Sequence, residues 1–144
     1  MTLTFEGTIL VPAADPDDGE RTAEALAPYL ASTSSVVIVN VIEKAGGAPD
    51  KASMDQREEY AEEIFERTRR PLESTNAAIE TDVLYGTDIV ERIFAEAEAR
   101  DVDAVVFTPR KSNRFAELLT GNVARRLVKE ASVPVVALPQ AGSS

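Results

Sequence analysis

The side chains best equipped for chemistry in this 144-residue chain are charged ones, because histidine and cysteine are both absent. That absence removes Cys and His nucleophiles, Ser-His-Asp triads, zinc sites built on Cys or His, and catalytic disulfides. Two charged groups remain. Asp15, Asp17 and Asp18 crowd the turn after the first apolar run, a cluster that can place magnesium or cap a helix. Between positions 110 and 129, Arg110, Lys111, Arg114, Arg125, Arg126 and Lys129 stand against Glu117 alone, in a chain whose formal charge is −10. Cations beside the start of a helix make an anion site, since the first N–H groups add to the attraction. The same charges also suit ordinary pairing with an acidic remainder, and both readings stay open at the level of sequence.

The elements that must position these groups follow from hydrophobic period. Short apolar runs at Thr8–Val11, Val36–Ile42, Ile79–Tyr85, Ala104–Phe107 and Pro134–Leu138 alternate with stretches of helical spacing. The second run is nearly continuous in β-branched residues, as expected of a parallel strand buried on both faces. The third carries Glu80 and Asp82, charges that suit an edge. Ala23, Leu26, Ala27 and Leu30 give one helical stripe, interrupted by Pro28. Ala61, Ile64, Phe65, Thr68 and Leu72 give a second within a charged stretch from Met54 to Pro71, after a loop predicted over Glu43 to Ser53. Thr87 is the expected cap of a third helix bearing Ile89, Ile93, Phe94 and Ala97, and a fourth is expected over about Val123 to Ala131. Right-handed crossovers turn this β-α alternation into a doubly wound α/β parallel sheet with helices on both faces. Ligands in such sheets bind beyond the strand carboxyl ends where the strand order reverses, here the loops after strands one and four.

Composition narrows the partners. A pI near 4.5 argues against nucleic acid or anionic membrane as the main target. No apolar run reaches the roughly 18 to 20 residues of a membrane span, and the first residues lack a signal-peptide pattern, so the expected location is cytoplasmic. One domain is expected over residues 1–139, with a flexible tail at 140–144. There is no G-x-x-x-x-G-K-[ST] loop, no G-x-G-x-x-G turn and no G-x-S-x-G elbow. A phosphoacceptor domain is disfavoured too, because the third run ends in Tyr85-Gly86 and the fifth in Leu138-Pro139, without its acceptor Asp or its Lys.

Four segments carry a resemblance. Ile9-Leu10-Val11-Pro12, Val83-Leu84-Tyr85-Gly86-Thr87-Asp88, Asp103-Ala104-Val105-Val106-Phe107-Thr108, and Thr120-Gly121-Asn122-Val123-Ala124 followed by Ser132-Val133-Pro134-Val135-Val136 resemble, in order and spacing, the universal stress protein family. The resemblance implies a five-stranded sheet in the order 3-2-1-4-5 and a homodimer that pairs the last strands, here through Val133, Val135, Val136, Ala137 and Leu138. Many members bind ATP through G-x2-G-x9-G-[ST], and laid on this chain the pattern falls on Thr108, Lys111, Gly121 and Asn122. Only the last glycine is present, and Cβ atoms at Thr108 and Lys111 crowd the phosphate path.

The Asp that holds the nucleoside in ATP-binding members aligns with Ala14, with Asp15 one residue later, and Val41 aligns with the position whose backbone meets adenine. Pro12 and Val123 complete the candidate set, with Arg110 and Lys111 as side-chain cations for a phosphate. The expectation is a non-catalytic, dimeric regulatory module with a degenerate nucleotide site, acting through protein partners. The alternative is binding of ATP, AMP or another phosphorylated anion at the basic loop after strand four. Hydrolysis of ATP with magnesium on Asp15 is the weakest reading, since few groups are available to surround the phosphates.

Overall fold

The structure is a computed structural model that describes residues 3–44, 51–109 and 121–141. Five parallel strands, β1 (Thr8–Pro12), β2 (Ser35–Glu43), β3 (Ala78–Gly86), β4 (Ala104–Phe107) and β5 (Val135–Ala137), form one sheet in the order β3-β2-β1-β4-β5. Register runs Leu10↔Val37 between β1 and β2, Leu10↔Val105 between β1 and β4, and Val105↔Val135 between β4 and β5. The strand order therefore reverses between β1 and β4, as the sequence predicts.

Strand alternation divides the core into two layers. Ile9, Val11, Val36 and Ile38 face α1 (Pro16–Leu26) and α2 (Lys51–Arg69), packing on Ala23, Leu26, Ile64 and Phe65. Leu10, Val37, Val39 and Val105 face the other way, onto Ile93 and Phe94 of α3 (Ile89–Ala99) and Leu127 of α4 (Gly121–Lys129). Arg67 of α2 ties the helices of the first layer together by pairing with Asp17 and Glu20 of α1, both at 2.6 Å. Along the edge strand β3, Arg100 binds Glu80 at 2.9 Å and Asp82 at 2.8 Å, so the charges of that edge are held by the end of α3.

Several boundaries differ from the sequence reading. The stripe that includes Leu30 ends as an α-helix at Leu26, and Ala27–Tyr29 form a single 3₁₀ turn around Pro28, whose missing N–H cannot continue the ladder. Lys51 to Ser53 belong to α2 rather than to the loop before it. Asp88, not Thr87, caps α3, because its carboxylate accepts the Glu91 N–H at 3.0 Å. α4 begins at Gly121, so Asn122 sits inside the helix and does not cap it. β5 is three residues long, yet the ladder runs one bond further, from Leu138 N–H to the Phe107 carbonyl at 2.9 Å.

Candidate functional site

The loop between β1 and α1 is fixed at three successive backbone groups. Ala13 donates to the Val39 carbonyl at 2.9 Å, and its own carbonyl accepts Nδ2 of Asn40 at 2.8 Å. The Ala14 N–H then donates to Oδ2 of Asp18 at 2.9 Å. Asp15 and Asp18 act reciprocally at the start of α1, since Oδ1 of Asp15 accepts the Asp18 N–H at 2.7 Å. This resembles a capping box with aspartate at both ends, except that the return bond reaches the N–H of Ala14, one residue before the cap. Asp18 is fully buried and its other oxygen meets Arg21 Nη2 at 2.9 Å.

This clamped loop forms one wall of a cavity of about 140 Å³ at the carboxyl ends of β1 and β2. Pro12, Ala14, Val39 and Val41 line it from the sheet side, and Ile89 and Ile93 close it from α3. Small-molecule sites usually run from about 300 to 1,000 Å³, so this one has room for no more than a single ring. Its lining is apolar apart from Asn40. Among the described residues no carboxylate lines it, and the Asp15 side chain is turned to the first turn of α1.

Of the sequence-predicted residues, the structure brings Pro12, Ala14 and Val41 together in this cavity. Asp15 adjoins them but acts as the cap of α1. Thr108 ends β4 across the switch point, fully buried, and its Oγ1 has no hydrogen-bond partner among the described residues. Gly121 and Asn122 open α4, with Asn122 exposed, while Val123 packs partly buried against the α3 layer. Arg110, Lys111 and Arg114 lie outside the described residues. Sequence reasoning missed Ile89 and Ile93 as lining, and Asn40 and Asp18 as clamps. Asn40 was visible as the one polar residue in the apolar run of β2, and the Asp15-x-x-Asp18 spacing is itself a capping signal.

The electrostatics around the switch point are those of pairing. Arg126, part of the basic segment, reaches Glu130 at 2.7 Å and Asp88 at 3.1 Å, so this cation is engaged by carboxylates. The Glu91 N–H, together with Arg126, holds the Asp88 carboxyl below its usual range despite some burial. At the end of β3 the Tyr85 hydroxyl donates to Glu58, which pushes the phenol up to about 12, and Lys44 Nζ lies 5.1 Å from the ring centroid. Among the described residues no group of three carboxylates converges to hold a metal ion. A larger hollow, about 610 Å³ between α2 and β3, is lined mainly by Glu62, Glu63, Glu66, Glu73, Arg69 and Arg70. It lies along the helix, away from the strand carboxyl ends where parallel sheets bind ligands.

The sequence model of the universal stress protein family matches residues 7–139. No curated protein matches the chain. Among solved structures, a universal stress protein of Archaeoglobus fulgidus in complex with dAMP is 20% identical with a TM-score of 0.63, over 96% of this chain and 99% of that one. One from Lactobacillus plantarum is 15% identical, TM-score 0.68, over 94% and 99%. An Arabidopsis thaliana member with AMP bound is 16% identical, TM-score 0.66, over 94% and 93%.

Proposed function

Because the chain belongs to the universal stress protein family, we propose that it is a non-catalytic regulatory module of the cytoplasm, dimeric through β5, whose nucleotide site is degenerate. The observation that carries this reading is the wall of the 140 Å³ cavity. A methyl group stands at Ala14, and the neighbouring Asp15 carboxylate binds the Asp18 N–H. A ring can enter, but no charged side chain of the described lining grips the rest of a nucleotide. The proposed dimer edge is the outer side of β5, where Val133, Val135 and Val136 are half-buried and Ala137 is exposed. Leu138 is buried in the protomer's own core and supports that edge from behind. Sedimentation equilibrium with and without ATP or AMP tests this directly. The expected result is one dimer mass in all conditions, and a monomer, or a mass that changes with nucleotide, contradicts it.

A second reading, binding of an adenine nucleotide or another phosphorylated anion, is favoured by one observation, the buried Thr108 hydroxyl after β4 that has no hydrogen-bond partner among the described residues. Buried hydroxyls usually find a partner, and a ligand oxygen would supply one. The structures with dAMP and AMP show that relatives of this fold accept such ligands. If this reading holds, AMP and ATP raise the melting temperature, and changing Arg110 and Lys111 to Ala removes the effect for the phosphates.

A further inference from the structure

β3 closes one end of the sheet, so it is paired only to β2, and no strand of the described residues covers its outer side. Which backbone groups this leaves over follows from two bonds. The Ala78 N–H donates to the Ser34 carbonyl at 3.0 Å, and the Gly86 carbonyl accepts the Lys44 N–H at 2.8 Å. In a parallel ladder the N–H and C=O of one residue point to one side and those of the next residue to the other. Ala78, Glu80, Asp82, Leu84 and Gly86 therefore address β2, while Ile79, Thr81, Val83 and Tyr85 aim their backbone groups outward. Arg92 Nε takes the Tyr85 carbonyl at 3.1 Å, but the outward groups of Ile79, Thr81 and Val83 have no partner among the described residues. The open stretch runs from Ile79 to Val83, about 16 Å of extended edge.

Such an edge invites another chain unless charges guard it. Its own charges, Glu80 and Asp82, are drawn to Arg100 on the α3 side, at 2.9 and 2.8 Å. The α2 side differs. There the hollow of about 610 Å³ that includes Thr81 carries Glu62, Glu63, Glu66 and Glu73 against Arg69 and Arg70. Arg70 is paired with Glu66 at 3.2 Å, whereas Glu62, Glu63 and Glu73 make no ion pair among the described residues. In a strand laid along this edge, every second side chain stands on the same face as Thr81 and hangs over that hollow. Lys or Arg at those positions meets unpaired carboxylates, and Asp or Glu meets repulsion. A second copy of the chain is a poor occupant, since antiparallel pairing centred on Thr81 sets Glu80 opposite Asp82.

We propose that the β3 edge is a docking site for an extended segment of a partner protein, added to the sheet beside β3, with basic residues at alternate positions over the α2 hollow. Backbone bonds to Ile79, Thr81 and Val83 hold the segment, and the glutamates of α2 and the turn after it select its charge. The edge lies at the opposite end of the sheet from β5 and shares no residue with the cavity at the ends of β1 and β2. It therefore stands independently of the proposed dimer and of nucleotide binding.

The probe is the end-capped peptide Lys-Thr-Lys-Thr-Lys-Thr-Lys, compared with its Glu-for-Lys counterpart and with two versions N-methylated on either the Lys or the Thr amides. Fluorescence anisotropy reads affinity, and amide hydrogen exchange reads the place of binding. The basic peptide should bind at least about ten-fold more tightly than the acidic one and slow exchange at Ile79, Thr81 and Val83 by at least about ten-fold. Only one set of peptide amides can face β3, so one N-methylated version keeps its affinity and the other loses it; loss on the Lys set means antiparallel addition, and loss on the Thr set parallel. Thr81→Pro removes an outward N–H and no ladder bond, so the chain still folds and binding falls by at least about ten-fold. Glu63→Gln with Glu73→Gln, both exposed positions, weakens the basic peptide by about five-fold. The proposal is overturned if the acidic peptide binds as well as the basic one, if exchange at the three amides is unchanged at about 5 mM peptide, or if the two N-methylated versions bind alike. It is overturned equally if the double glutamine variant binds like wild type, or if the three amides are already protected in the chain alone, which assigns the edge to another part of the chain or to a second copy.

Discussion

Replacing Asp18 by Asn separates the charge of that residue from its shape. The amide retains an oxygen for the Ala14 N–H, so the 2.9 Å bond survives, but it turns a neutral group toward Arg21 Nη2. Asp18 is fully buried and Arg21 Nε already lacks a partner among the described residues, so the guanidinium depends on this carboxylate. Breaking a buried pair by removing one partner destabilises by about 3–5 kcal/mol. The Arg21 side chain keeps 19% exposure and recovers some hydration, which places the loss near the lower end, about 3 kcal/mol. At roughly 3 °C per kcal/mol for a chain of this length, the melting temperature falls by about 9 °C. Urea denaturation of Asp18→Asn, Arg21→Met and the double variant forms a cycle. The account expects the double variant to lose less than the sum, by about 1–3 kcal/mol. A loss below about 1 kcal/mol, or additive losses, would refute the claim that this pair anchors the cavity wall.

Three further outcomes are expected. Gly19→Ala puts a Cβ 1.9 Å from Thr68 Oγ1 and 3.2 Å from Ala13 Cβ, so overpacking outweighs the gain in helix propensity for a net loss of about 1–2 kcal/mol; Thr68→Ala in the same chain should recover part of it in denaturant titrations. Asp88 has its carboxyl held below 3.8 by the Glu91 N–H and Arg126, so its contribution is complete above the unfolded value and vanishes as pH falls through the lower folded one. Asp88→Ala should destabilise by about 1 kcal/mol near neutral pH and flatten the acid limb of stability against pH, whereas an unchanged limb would contradict the pairing. Asn122→Ala, at the second position of α4, should change stability by less than about 0.5 kcal/mol, where a true cap would lose about 1 kcal/mol.

Fold class was legible because burial on both faces writes itself into sequence as nearly continuous apolar runs, as in Val36–Ile42 and Ala104–Phe107, whereas the strand order came from the family resemblance. Helix ends were less legible. Thr87 and Asp88 are both competent caps, and only the backbone geometry shows that Asp88 reaches Glu91. The loop positions Pro12, Ala14 and Val41 could be placed at the site through family resemblance, while Ile89 and Ile93 read simply as a helical core stripe. Whether such a stripe closes over the end of β2 depends on how α3 crosses the sheet, which periodicity does not encode. The pairing of Arg126 with Asp88 is likewise a contact 38 positions apart, beyond any local pattern.

The proposed degeneracy of the nucleotide site is tested most directly by calorimetric titration of ATP with magnesium into the wild-type chain and into Ala14→Asp. The account predicts no saturation below about 1 mM for the wild type, and tighter binding once a carboxylate stands on the cavity wall. Micromolar affinity in the wild type, accompanied by release of phosphate, would contradict it.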